Sequence, residues 1–346
     1  MGIERVALAD INLSDFEFWL QPEDWRDGAF QTLRNESPVH WSEGYQQVEG
    51  GFPVDGRGYW SLSRHDDIWH ASRNPQLFCS SRGGVNIGDM PEQIAEFFGS
   101  MIAMDDPKHA RLRGIVQKAF TPKTVSQVEG YVRDKARTIV DGLLERYPDG
   151  ECDFVEEVAA PLPLQVICEM MGIPEADEKQ VFAWTNVILG VGDPEYAPTF
   201  DQLLTTSLEI NQYAMDLGTD RLANPKDDLT SALMHAEVDG ERLTTQEFGS
   251  FFILLVVAGN ETTRNAISWG MKALTDNPEQ RRIWWDDFGG VAKTAVEEIV
   301  RYASPVIHFR RTATADTEIR GVPIAEGDKV VYWLSLIHIS EPTRRS

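Results

Sequence analysis

From Phe251 to Ala258 the chain is almost uninterruptedly apolar, and a helical period then carries on through Ile267, Trp269, Met271 and Leu274. A helix that is apolar all round is a buried helix. The run 251–259 is too short to span a bilayer. Into it the sequence sets Gly259, Asn260, Glu261, Thr262 and Thr263. Glycine weakens a helix but lets a neighbour approach the backbone closely. A mid-helix threonine can bond the carbonyl four residues back, here Ala258, and bend the helix. Buried acids are rare unless paired or functional. Two readings follow: a kinked helix over a dry pocket with an alcohol and an acid ready to pass protons, or a core helix with Glu261 and Arg264 turned to water.

Elsewhere the pattern is mostly helical. Trp19, Trp25, Phe30 and Leu33 keep a helical spacing across 10–37, and further helices are predicted over 66–72, 124–147, 163–172, 201–224, 227–237, 277–286 and 291–303. Asp106-Pro107 marks a helix start, with Leu112, Ile115, Val116, Ala119 and Phe120 as its inward stripe. Trp184–Asp193 starts helical and then breaks at its glycines. Leu243-Thr-Thr-Gln-Glu247 is a capping signal before the central helix. Residues 39–41, 58–63, 306–312, 315–319 and 329–333 alternate like strands, so small sheets are expected near each end. The glycine-bearing stretch 79–100 reads as a flexible loop of the kind that covers a site. No βαβ rhythm and no phosphate-loop glycine pattern is present.

Composition narrows the function classes. The 346 residues are 42% apolar, enough for a large core, and carry a net charge of −23. That charge argues against nucleic acid and anionic membranes as partners. Cys79, Cys152 and Cys168 form no paired motif, which points away from a disulfide framework or zinc site and towards a reducing cytoplasm. Against this acidic background, residues 107–137 hold eight basic side chains and two acidic ones. A solvated helix face is the plain reading, and an acidic partner protein suits the patch better.

The remaining motifs act together. Glu298-Ile-Val-Arg301 places an acid and a base on one helix face. His109 and Arg113 are four apart on another, and Arg311 opens an Arg-Thr-Ala run after Pro305. Ala258-Gly-Asn-Glu-Thr-Thr263, the Glu298/Arg301 pair, Arg311-Thr-Ala313 and His109/Arg113, in this order of spacing, resemble the cytochrome P-450 family of haem-thiolate monooxygenases. Longer pieces, such as Ala119-Phe-Thr-Pro-Lys123, Pro161–Gln165 and Thr294–Pro305, are similar to actinobacterial methyl-branched-lipid omega-hydroxylases and steroid C26(27)-monooxygenases.

The resemblance implies a mainly α fold with small β-sheets over residues 1–333 and haem b as cofactor. In it His109, Arg113 and Arg311 hold the haem propionates, while Ala258 and Gly259 lie over one haem face. Glu261 and Thr262 deliver protons in oxygen activation, and Glu298 with Arg301 is structural. Ile87, Phe97, Phe98, Met101, Val187, Ile188 and Leu189 are candidates for an apolar substrate pocket, although each is as readily plain core. Electrons would come from NAD(P)H through ferredoxin reductase and ferredoxin. The substrate expected is a methyl-branched lipid or sterol side chain; a terpenoid or polyketide is the alternative. The family's iron-ligand cysteine sits in a glycine-rich loop downstream of the Arg311 region, and no such loop is present. The resemblance therefore implies truncation before that loop, with 334–346 an adapter-derived tail. The competing reading is a non-catalytic helical protein that binds haem or an apolar ligand.

Overall fold

The computed structural model describes residues 5–45, 56–89, 100–120, 122–190 and 199–334. The chain divides into two compact units, Met1–Asp105 with Val306–Ser346, and Asp106–Pro305. The expected pocket residues Phe97 and Phe98, and 335–346 of the expected tail, lie outside the described residues.

In the first unit the helical period over 10–37 resolves into α1 (Phe16–Leu20) and α2 (Glu23–Glu36). The break falls at Gln21-Pro22, because proline cannot continue the first helix yet suits the start of the second. α3 spans His65–Ser72. The strands are β1 (Val39–Ser42), β2 (Tyr59–Leu62), β3 (Phe78–Cys79), β4 (His308–Ala313), β5 (Thr317–Ile319), β6 (Val322–Ile324) and β7 (Lys329–Trp333). The small sheets expected near each end are present, and the larger one draws on both ends of the chain. Among the described residues, five strands from both ends form one sheet in the order β1-β2-β7-β4-β3, and β5 and β6 pair separately. β7 runs parallel to β2, with Tyr59 opposite Lys329 and Leu62 opposite Tyr332. Every residue of β7 is buried. Burial reads as a hydrophobic run in the sequence, but does not reveal the partner strand.

One core of this unit gathers Phe18, Phe30, Leu33, Tyr59 and Trp333. Trp333 lies 5.3 Å from the ring of Trp19 and 5.7 Å from that of Phe30, and its Nε1 donates to Ser61 Oγ at 3.0 Å. Burying such a ring contributes about 4 kcal/mol. Ile87 belongs to the same core at 3% exposed.

Of the loop expected over 79–100, residues 90–99 lie outside the described residues, and 80–89 run without helix or strand. Arg310 and Lys329, 1% and 2% exposed, pin residues 82–89. Arg310 donates to the carbonyls of Arg82, Asn86 and Ile87 at 3.2–3.3 Å and pairs with Asp89. Lys329 Nζ donates to the Ile87 carbonyl at 3.2 Å and lies 3.5 Å from Asp89. Gly83 sits at φ +77°, and a Cβ there would fall 2.2 Å from the Arg310 guanidinium. The glycine that reads as looseness in the sequence makes room for a buried cation.

The second unit is helical: α4 (Lys108–Ala119), α5 (Pro122–Arg146), α6 (Pro161–Met171), α7 (Glu178–Leu189), α8 (Phe200–Ala223), α9 (Leu229–His235), α10 (Thr245–Asp276), α11 (Pro278–Asp286) and α12 (Phe288–Ala303). α10 is its axis, packed most extensively on α8 and also on α12, α6 and α7. The capping signal closes as expected: Glu247 N donates to Thr244 Oγ1 at 3.1 Å, and Thr244 N donates to Glu247 Oε2 at 2.9 Å. α6 ends at Gly172, whose φ of +68° gives a left-handed cap. α12 has no fully buried residue; Val296, Val300 and Tyr302 leave about half of each side chain in solvent. No helix among the described residues is long and apolar enough to cross a membrane.

Candidate active site

The polar cluster of α10 divides between two neighbourhoods. Asn260 is 1% exposed and faces α7, where its Nδ2 lies 3.4 Å from the hydroxyl of the fully buried Thr185. Gly259 faces α6: a Cβ would lie 2.8 Å from Ile167 Cδ1, so the close approach it permits is that of a packed side chain. Ala258 is exposed, and Thr262, one turn on, is half-buried. Thr262 Oγ1 donates to the Ala258 carbonyl at 2.7 Å, the back-bond anticipated from the sequence. Glu261 is half-buried and paired with Arg264. The acid is thus neither isolated in a dry pocket nor free in water.

The cations expected for a carboxylate ligand lie on two elements. His109 and Arg113 share one face of α4; His109 Nδ1 is 3.4 Å from Asp106 Oδ1, and Arg113 is exposed with no acidic partner among the described residues. Arg311 lies on β4 of the other unit, half-buried, donating to the Arg310 carbonyl at 2.8 Å with its guanidinium 5.7 Å from the Tyr332 ring. Arg301 grips Glu298 with two bonds of 2.7 and 2.6 Å, which lowers the acid's pKa and raises the base's. Glu298 is largely exposed, so this pair adds little stability by itself. Val187, Ile188 and Leu189 are half-buried at the end of α7, and Met101 is half-buried in a 3₁₀ turn.

The three cysteines differ in burial. Cys79 is buried in β3, Cys152 is exposed, and Cys168 is buried in α6, where desolvation pushes its pKa up to about 12. Among the described residues no group of His, Cys, Asp and Glu is arranged to hold a metal ion. The basic island is also largely spoken for. Arg111 pairs with Glu241 and Glu247, Arg133 with Glu129, and Arg137 with Asp134, while Lys118 donates to the Glu237 carbonyl. Sequence reasoning passed over Thr185 and Arg310. An asparagine inside an apolar helical run is a weak signal of a buried polar joint, and Arg310 carries none beyond standing beside Arg311.

No protein-family model matches the chain. It is 54% identical over 329 residues to the methyl-branched lipid omega-hydroxylase of Mycobacterium tuberculosis strain H37Rv, covering 95% of this chain and 76% of that protein. It is 39% identical over 326 residues to the steroid C26-monooxygenase of Mycolicibacterium smegmatis, covering 92% and 74%. Among solved structures, Mycobacterium marinum cytochrome P450 CYP268A2 in complex with pseudoionone superposes with a TM-score of 0.87 at 40% identity, over 96% of this chain and 80% of that one. With this identity along almost its whole length and this helical frame around α10, the chain belongs to the cytochrome P450 family of monooxygenases.

Proposed function

We propose that this chain carries the oxygen- and substrate-facing part of a haem monooxygenase that hydroxylates the terminal methyl of a methyl-branched lipid or a cholesterol-type side chain. The 54% identity to a methyl-branched lipid omega-hydroxylase carries this reading. The family implies haem and electrons from a redox partner, and a ferredoxin fed from NAD(P)H is the donor we assign. When bound, haem supplies the activation of dioxygen. Guanidiniums suit its carboxylates: Arg113 is without an acidic partner among the described residues, and Arg311 is half-buried on β4. Cys79 and Cys168 are buried, and desolvation pushes the Cys168 thiol up, so neither suits a thiolate ligand for the iron.

Each residue then has a task. His109, Arg113 and Arg311 hold the propionates. Ala258 keeps one face of α10 free of bulk. Thr262 moves a proton, for which its hydroxyl must turn away from the Ala258 carbonyl, and Glu261 resupplies it after letting go of Arg264. Val187, Ile188, Leu189 and Met101 supply apolar contact. Glu298 and Arg301 brace α12. Lys108, exposed and without an acidic partner among the described residues, is the cation of the basic island that meets an acidic donor. Sequencing the source DNA across codon 333, followed by assay of the complete reading frame on branched lipids and sterols, tests the proposal. A cysteine loop in frame and terminal hydroxylation are expected. A genuine stop after Ser346 would remove oxygenase chemistry from this product and favour a ligand-binding role.

A further inference from the structure

Asn260 stands where the packing of α10 calls for an apolar residue. The stripe leading to it, Phe252, Ile253 and Val256, keeps helical spacing and is buried, and Asn260 continues it at 1% exposed. Leucine would fill such a position without burying a polar group. The amide makes one side-chain bond: Nδ2 donates to Thr185 Oγ1 of α7 at 3.4 Å. Thr185 is itself fully buried, and its hydroxyl donates onward to the Phe182 carbonyl at 2.9 Å. The other half of the amide, Asn260 Oδ1, is buried with no hydrogen-bond partner among the described residues. A buried acceptor left in that state costs stability, so folding alone does not account for an asparagine here.

What a buried amide supplies in an apolar seam is register. Helices packed by apolar side chains alone can slide or turn with little penalty, whereas slipping a polar joint leaves both of its groups unsatisfied. This joint connects two segments that matter for the function proposed above. Thr185 precedes Val187, Ile188 and Leu189 at the half-buried end of α7. Asn260 precedes Thr262 and, at about 100° per residue, points about 160° away from it around the helix. Gly259, beside Asn260, is packed against Ile167 of α6. α10 is thus held from behind by α6 and α7, while Thr262 and Ala258, linked by their own bond, lie on the other side. We propose that Asn260 is a positioning residue: its bond to Thr185 sets the register and rotation of α10 against α7, and with them the placement of the Thr262 hydroxyl relative to a substrate at the end of α7. The inference rests on the monooxygenase reading and gives Asn260 no contact with the substrate.

The test is a double-mutant cycle at Thr185 and Asn260. It is read by the denaturant midpoint of the chain and, in the complete holoenzyme, by product formed per NAD(P)H. Asn260→Leu removes the unpartnered oxygen, so the midpoint should hold or rise while product per NAD(P)H falls about threefold and hydrogen peroxide rises to match. Thr185→Val should lower the yield by a similar factor, and Thr185→Ser, which keeps the hydroxyl, should retain the parent's yield. The double variant Thr185→Val/Asn260→Leu should do no worse than either single change, because each removes the same bond. Yield unchanged by Asn260→Leu, equal losses in Thr185→Ser and Thr185→Val, or losses that multiply in the double variant would overturn the inference while a productive parent keeps the monooxygenase reading. A parent holoenzyme that forms no product from branched lipids or sterols would remove that reading and this inference with it.

Discussion

At the scale of single residues, Thr262 and His308 carry separable effects. The Thr262 hydroxyl makes one intrahelical bond to Ala258, so Thr262→Ala should alter folding stability by no more than ~1 kcal/mol. In the complete holoenzyme the same change should leave NAD(P)H consumption running while product per NAD(P)H falls and free hydrogen peroxide rises. Unchanged coupling would remove Thr262 from proton delivery. His308, in β4 with its ring 5.4 Å from that of Trp333, has its pKa lowered by burial to about 4. An unfolded histidine titrates near 6.5, so the folded state is disfavoured as protons become available. The stabilisation is complete above about pH 6.5 and is lost as pH falls towards 4, by up to ~3 kcal/mol. Thermal melts across that range should show a shallower acid-side decline for His308→Phe than for the parent chain.

At the scale of elements, two small devices decide local order. Gly83 combines a left-handed backbone with a position that Arg310 fills. Gly83→Ala should therefore cost ~2–4 kcal/mol, more than any ordinary surface change, and should expose 82–89 to limited proteolysis. Proteolysis unchanged from the parent would mean that the buried cations do not fix this segment. The capping box of α10 works through two reciprocal bonds, and Thr244→Ala should lower the denaturant midpoint by an amount equivalent to ~1 kcal/mol without changing the slope. Gly259 differs from Gly83, since the atom it accommodates is the flexible end of Ile167 and a slight shift relieves the contact.

At the scale of the whole molecule, charge and apolar surface set behaviour in solution. A net charge of −23 makes the compact state self-repelling, and moderate salt should raise the melting temperature. The half-exposed Val296 and Val300 of α12 add sticky surface to the second unit. Replacing both with lysine should reduce dye binding to exposed apolar surface and reduce self-association. Stability should change by only ~0.5 kcal/mol per site, because neither side chain is buried. A large loss of stability on that double substitution would show that the face is packed in solution.

Periodicity and local chemistry were enough to place the helices of the second unit, the capping box before α10, the threonine back-bond and strands β1, β2, β4, β5 and β7, though not β3 or β6, because each depends on residues close together in the chain. The motifs around Ala258, Glu298 and Arg311 were likewise sufficient for the family, since those residue types recur at fixed separations. Pairing across the chain was not legible. That β7 lies between β2 and β4, that Ile87 is core, that Gly259 meets Ile167, and that Arg310 and Lys329 are buried around Asp89 all depend on segments far apart in sequence. Local sequence determines where the backbone can satisfy its own hydrogen bonds, whereas burial and charge proximity exist only once distant segments have been brought together.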